Sequence, residues 1–96
     1  VQQQARAGLL FAAICAAPAL ALQGYGVLKQ RRMTCYPAFS DRLSGCTFVD
    51  QPVVVDGNCI TSQGPGTALA FALTLVEQLC GKARRHAVAK GMLLVA

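Results

Sequence analysis

The sequence predicts an α/β layered fold with a parallel sheet core and one antiparallel hairpin, and three stretches carry that expectation. The first is LLFAAIC, residues 9–15, where a continuous apolar run stops at Cys15 and small residues able to open a helix follow. Such a run is the pattern of a central parallel strand buried on both faces. The second is VVVDGNCITS, residues 53–62, two short strand-forming runs around Asp56, Gly57 and Asn58. Those three residues tolerate the positive φ that tight hairpin turns demand. The third is QGPGT, residues 63–67, a second strand-to-helix corner ahead of an apolar stretch with helical spacing. Strands alternating with helical segments across short turns build layered α/β domains.

In chain order, residues 1–7 read as a helix end closed by Gly8, where a left-handed turn is easy. The strand over 9–14 follows, then Cys15, then a helix over 16–22 that tolerates Pro18 in its first turn because that N–H has no intrahelical partner. Gly24, Tyr25 and Gly26 mark a break. Val27, Leu28 and the basic residues 29–32 lead to a short strand over 33–36, stopped by Pro37. Residues 40–45 form a turn or a single helical turn, and 46–50 a further strand. After the hairpin, Thr67 caps a helix over 68–80 whose Leu69, Ala72, Leu73, Val76, Leu79 and Cys80 make one core face. Gly81 ends it. A basic amphipathic helix covers 82–90, and 92–96 is an apolar tail docked on the sheet.

Composition narrows the class. The chain is 54% hydrophobic and 14% charged, too apolar for disorder and rather apolar for a small domain standing alone. One domain of this size buries only about 60–65% of its unfolded surface. Its apolar faces are therefore expected to meet a missing half, a second subunit or a membrane. The opening QQQARAG reads as the end of a helix already under way, which suggests a fragment or a processed piece. Charge is +5, in clusters at Lys29, Arg31, Arg32 and at Lys82, Arg84, Arg85, Lys90. Both clusters read as solvated faces, so nucleic acid is not an expected partner. Arg6 and the apolar residues after it imitate a signal peptide, but that run of about 16 residues is short of the ~20 a membrane span needs. No membrane span is expected.

Five cysteines, an odd count without CxxC, argue against a disulfide framework or a zinc site. His86, the one histidine, builds no metal site alone and reads as a surface residue. No metal or cofactor is expected. Reduced cysteines suit the cytoplasm, with the nucleus or an organelle (plastid or mitochondrion) as alternatives.

Cys15 is the candidate functional centre. A cysteine at a strand-to-helix corner has its sulfur lifted above the sheet and aimed by the backbone. The positive end of the following helix dipole favours thiolate over thiol. This is the pattern of a nucleophile elbow, with sulfur in place of a serine hydroxyl.

AAICAAPA (residues 12–19), together with ITSQGPGTALAFALTLVEQLCGK (60–82), resembles the C-terminal half of the ThiJ/PfpI superfamily, and most of all the branch of the Parkinson's-associated protein deglycase. TCYP (34–37) and VVVDGNCITS (53–62) fit the same pattern, so the likeness covers nearly the whole chain. It implies a flavodoxin-like three-layer sandwich, usually homodimeric, of which residues 1–96 form the C-terminal part of a class I glutamine amidotransferase-like domain. It implies glyoxalase action on methylglyoxal, deglycation of glycated adducts, and redox-sensitive protection or chaperone behaviour. By the same likeness Cys15 is the reactive cysteine, Ala16 supplies the following backbone N–H, and Pro65 lines the pocket. Departures matter too. The family's acidic partner of the cysteine and its glycine-rich loop belong to the half not seen here. Ala16 stands where protease-type members have histidine, and Tyr36 where some deglycases do.

For the glyoxalase reading, Cys15 adds to a 2-oxoaldehyde as a hemithioacetal and the Ala16 N–H holds the oxyanion. Asp41, Asp50, Asp56 and Glu77 read as solvated, so the proton carrier comes from the missing half and the chain alone is catalytically poor. The rival is an oxidation-responsive chaperone or interaction module, in which Cys15 passes to sulfenate and sulfinate. Cys46, Cys59 and Cys80 read as inert buried hydrophobes. Cys35 is a minor candidate for a resolving thiol. Tyr36 reads as a packing aromatic at the pocket rim rather than an acid.

Overall fold

The computed structural model describes residues 1–94. Five strands and three α-helices run in the order α1 (Gln2–Arg6), β1 (Phe11–Ile14), β2 (Arg32–Met33), β3 (Thr47–Phe48), β4 (Val53–Asp56), β5 (Cys59–Ser62), α2 (Ala68–Cys80) and α3 (Lys82–Gly91). A π-helical turn, Pro18–Leu22, follows β1, and 3-10 turns cover Pro37–Arg42 and Pro65–Thr67. The main sheet has the order β1-β5-β4, with β5 parallel to β1 and antiparallel to β4. β2 and β3 pair in parallel as a second, two-stranded sheet. The α/β layering and the hairpin are as the sequence predicts.

The turn between β4 and β5 is tighter than the three-residue reading suggests. Asp56 pairs with Cys59, so Gly57 and Asn58 alone make the loop, and only Gly57 takes a positive φ, +58°. A glycine there avoids the steric cost of the left-handed region.

The central strand is β5, not the apolar run. All four β5 residues are buried, whereas among the described residues β1 has β5 as its one neighbour. Only Phe11 of β1 is fully buried, and Leu9, expected inside, lies before the strand and is 54% exposed. Thr61 and Ser62 are buried because their hydroxyls have partners: Thr61 Oγ1 accepts from the Thr34 N–H at 2.9 Å, and Ser62 Oγ reaches Pro52 O at 2.7 Å. A satisfied hydroxyl removes the main cost of burial.

The expected strand over 33–36 is also shorter. Past Met33 its backbone bonds go elsewhere, Thr34 to Thr61 and the Tyr36 N–H to Cys15 O at 2.7 Å. Phe11, Ala19, Leu22, Leu28, Met33, Cys35 and Cys59 form the core against this segment.

α2 has the predicted bounds, and Gly81 closes it at φ +91°. Its expected core face is largely open: Leu73 and Thr74 are buried, but Leu79 is 69% exposed and Leu69, Ala72 and Cys80 are exposed too. A narrow three-stranded sheet meets one line of the helix and leaves the flanks uncovered. Cys80 is therefore not the buried hydrophobe expected. The described residues of the tail do not dock on the sheet either. Leu93 is 90% exposed, the Leu94 N–H turns back to Ala89 O at 2.9 Å, and residues 95 and 96 lie outside the described residues.

Arg31 departs from the solvated-face reading. Its Nε donates to Val27 O (3.0 Å), Nη1 to Asp56 O (3.0 Å) and Nη2 to Asn58 Oδ1 (2.9 Å), and its guanidinium lies 5.2 Å from the centroid of the Phe11 ring. Asn58 in turn donates to Leu9 O at 2.9 Å. The guanidinium ties the segment before β2 to the β4–β5 turn and, by stacking, to the start of β1. Arg31→Lys is expected to lose about 1.5–3 kcal/mol of stability in denaturant unfolding, because an ammonium cannot span three acceptors. Arg32→Ala, at an exposed side chain, is expected to stay within about 0.5 kcal/mol.

Burial pushes the Cys59 thiol up to about 11 from 9.0, with Arg31 pulling it down and Asp56 pushing it up. The folded protein thus keeps Cys59 protonated where the unfolded chain ionises it. That contribution is complete below pH 9 and is lost as pH rises toward 11. The fall in unfolding midpoint across this window is expected to be shallower in Cys59→Ala; equal slopes would contradict it.

Candidate functional site

Cys15 follows the last residue of β1 and has φ +64°, a left-handed conformation that costs a non-glycine residue about 1–2 kcal/mol. Two backbone hydrogen bonds hold it there. Its N–H donates to Ser62 O at 3.0 Å, at the end of β5, and its C=O accepts from the Tyr36 N–H at 2.7 Å. The side chain is half-buried. The sulfur therefore stands on a sharp strand-to-helix turn fixed from both sides, the conformation that lifts a nucleophile out of a sheet.

The chain beyond turns sharply. Leu20 N–H reaches Ala16 O at 2.9 Å, and Gln23 N–H reaches Pro18 O at 3.1 Å across five residues. Pro18 opens this turn, as expected, and is fully buried. The expected helix over 16–22 is thus a wider π turn that starts two residues later. Ala16 is half-buried, and among the described residues its N–H meets no acceptor.

Tyr36 is 44% exposed, its ring 6.0 Å from that of Phe39 and packed beside Gly64, where a Cβ would sit 3.7 Å from Tyr36 Cδ1. Pro65 is exposed and opens the 3-10 turn after Gly64. Thr67 does not cap α2. Its Oγ1 accepts from the Gly64 N–H (3.1 Å), reaches Gly64 O (2.9 Å) and lies 2.6 Å from Ser62 Oγ. The threonine closes the corner on itself rather than on the helix. Cys15, Ala16 and Tyr36 are thus brought together directly, and Pro65 is tied to them through Gly64.

Ser62 and Thr67, the second of them expected only as a helix cap, hold this corner. Their signal lay in the TSQGPGT run, where two hydroxyls bracket a Gly-Pro-Gly turn. The carboxylates are not simply solvated. Asp50 accepts from Gln63 Nε2 at 2.9 Å, Asp56 from the Arg32 N–H at 2.8 Å, and Glu77 pairs with Arg85 at 3.5 Å. These partners commit three of the four to other parts of the fold.

Cys35 is fully buried. Burial raises its thiol, and the Cys46 and Cys15 sulfurs push the same way. A raised, buried thiol attacks slowly at neutral pH, so it suits packing better than resolving. Cys46 is half-buried and is also raised by burial, against a lowering contact from the Ser44 backbone. His86 is exposed on α3 as expected, beside a cavity of about 590 Å³ between α2 and α3.

Residues 1–78 match the DJ-1/PfpI family. The chain belongs to that family. It is 51% identical over 83 residues to Protein DJ-1 homolog B of Arabidopsis thaliana, covering 85% of this chain and 19% of that protein. It is 36% identical over 96 residues to the glutathione-independent glyoxalase DJR-1.2 of Caenorhabditis elegans, covering 98% of this chain and 50% of that one. The crystal structure of Drosophila melanogaster DJ-1beta matches with a TM-score of 0.93 at 45% identity, over 99% of this chain and 52% of that chain. The chain spans at most about half the length of these DJ-1/PfpI relatives. Its sheet and helices agree with part of a flavodoxin-like fold.

Glycine adopts positive φ freely and alanine does not. Cys15→Gly is therefore expected to be about 1 kcal/mol more stable than Cys15→Ala in denaturant unfolding. Equal stability would mean that the corner relaxes once the sulfur is gone.

Proposed function

We propose that the chain carries the nucleophile of a cofactor-independent glyoxalase or deglycase of the DJ-1/PfpI type. The observation that carries this reading is the half-buried Cys15 at φ +64°, held by Ser62 O and the Tyr36 N–H. The glyoxalase name of a 36% identical relative supports the substrate class.

On this reading the Cys15 thiolate adds to the aldehyde carbon of a 2-oxoaldehyde such as methylglyoxal. A C–S bond forms, the carbonyl electrons move to oxygen, and that oxygen takes a proton to give a hemithioacetal. The Ala16 N–H stabilises the developing oxyanion, a donor of a kind whose loss costs roughly 3–4 kcal/mol of barrier. The hydrogen on that carbon then leaves as a proton and returns at the neighbouring carbon through an enediol. Water hydrolyses the resulting thioester to a 2-hydroxy acid and frees the thiol. One carbon is oxidised as its neighbour is reduced, so only water is consumed and no cofactor enters. Glycated adducts are the alternative substrate, attacked by the same sulfur.

On this reading the proton carrier comes from outside this chain, since Asp50, Asp56 and Glu77 are engaged elsewhere and Asp41 is exposed. We infer that residues 1–96 are the C-terminal part of a ThiJ/PfpI domain that works with the other half and as a homodimer. The single-neighboured edge of β1, the open flank of α2 and relatives of twice the length support this. The described residues contain no helix long and apolar enough to cross a membrane. A reducing compartment, the cytoplasm first, suits a thiolate nucleophile.

A redox-sensing chaperone is the second reading. Buried Cys35 and Cys59 are shielded, which leaves half-buried Cys15 and Cys46 and exposed Cys80 as the more accessible sulfurs. Methylglyoxal consumption by the full-length protein is expected to fall at least about a thousandfold in Cys15→Ser. Tyr36→Phe is expected to change KM by less than about threefold and leave kcat intact, as befits a rim aromatic rather than an acid. Turnover retained in Cys15→Ala would overturn the enzyme reading. No turnover in wild type, with holdase activity that survives Cys15→Ser, would favour the second.

A further inference from the structure

We propose that a basic pocket at the opposite end of β1 from Cys15 binds the phosphoryl group of a small phosphate ester. The pocket has a volume of about 310 Å³ and lies between α1 and the segment leading to β2. Arg6, Lys29 and Arg31 line it with Gln2 and Tyr25, and none of its lining residues is Asp or Glu. That volume falls at the lower end of the range small-molecule sites occupy.

Arg31 gives the pocket a fixed element. Its three hydrogen bonds and its stacking on Phe11 hold the guanidinium before any ligand arrives. A guanidinium has five N–H groups, so two remain for an anion. Guanidinium N–H groups make strong, charge-assisted bonds to phosphate oxygens. Asp56, the carboxylate nearest this guanidinium along the chain of contacts, is turned to the Arg32 N–H. Three cations thus share one concavity with no carboxylate lining it. Arg6 and Lys29 are exposed, and Tyr25, 47% exposed, lines the pocket with them. An anion would relieve the mutual repulsion of the cations.

The site is separate from the elbow. It sits by Asn58 and the start of β1, and a four-residue strand puts roughly 13 Å between that end and Cys15. A small ester is favoured over a nucleic-acid backbone because the cations converge on a pocket instead of lining an extended stripe.

The test is binding to the full-length protein, followed by NMR or calorimetry, with inorganic phosphate, a mononucleotide, a sugar phosphate, the unphosphorylated nucleoside and a short oligonucleotide as probes. The phosphate esters are expected to bind, with affinity falling as salt rises, and the nucleoside is expected not to bind. Arg6→Gln/Lys29→Gln, both at exposed side chains, is expected to weaken ester binding about tenfold with an unchanged thermal midpoint and unchanged methylglyoxal turnover. A nucleotide that binds better than the sugar phosphate would place its base on Tyr25, within the proposal. No ester binding at millimolar concentration, binding indifferent to the double substitution, or an oligonucleotide preferred over every small ester would each overturn it.

Discussion

A cysteine at positive φ is a costly residue to keep, and much of the local architecture goes into keeping it. The left-handed conformation at Cys15 persists only where neighbours over-determine it, since each such outlier costs roughly 1–3 kcal/mol. Here the neighbours come from two different parts of the chain. Ser62 holds the amide and Tyr36 holds the carbonyl, so the corner is completed only when β5 and the segment after β2 are both in place. Ser62 is itself fixed by Pro52 O and by Thr67, which closes the Gly64 turn. The elbow is a tertiary product rather than a local turn.

The other end of β1 is held by a different device. The Phe11 N–H donates to Asn58 O at 2.8 Å, and Asn58 and Arg31 together bind the chain on either side. β1 has few large side chains and, among the described residues, one strand neighbour, so packing alone does little to set its register. Its two ends set it instead, with Phe11 opposite Cys59 and Ile14 opposite Ser62. An error of one residue would break the bonds at both ends and move Cys15 out of the corner. Charge at Arg31 and strain at Cys15 are thereby linked through four residues of strand.

What the sequence made legible was whatever depends on local chemistry. Gly57 in the β4–β5 turn, Gly81 after α2 and Pro18 in a first turn follow from backbone preferences that neighbours do not change. The apolar run ending at Cys15 announced the elbow for the same reason. Burial was less legible because it depends on what lies opposite. Cys59, Ile60, Thr61 and Ser62 look less like a central strand than residues 9–14, yet they are the strand with two neighbours. Their hydroxyls are inside because Thr34, Pro52 and Thr67 meet them, and no pattern within four residues encodes those partners. Arg31 was hidden likewise, since a cation among cations reads as surface until its acceptors are known.

The same distinction explains why the elbow can be well held in a chain whose α2 is not. Side chains alternate along β5, so Cys59 and Thr61 face the β2 side and Ile60 and Ser62 the α2 side. The core of Phe11, Leu22, Leu28, Met33 and Cys35 lies with Cys59, around the turn that follows Cys15. On the α2 side, Leu73 and Thr74 of α2 and Ala89 of α3 are the buried helix residues. Loss of the α2 contacts removes little apolar burial from the elbow's own surroundings, whereas loss of the β2 segment removes the bond to the Cys15 carbonyl. The bonds that hold the elbow therefore rest on β5 and the segment after β2 rather than on the α2 and α3 layer.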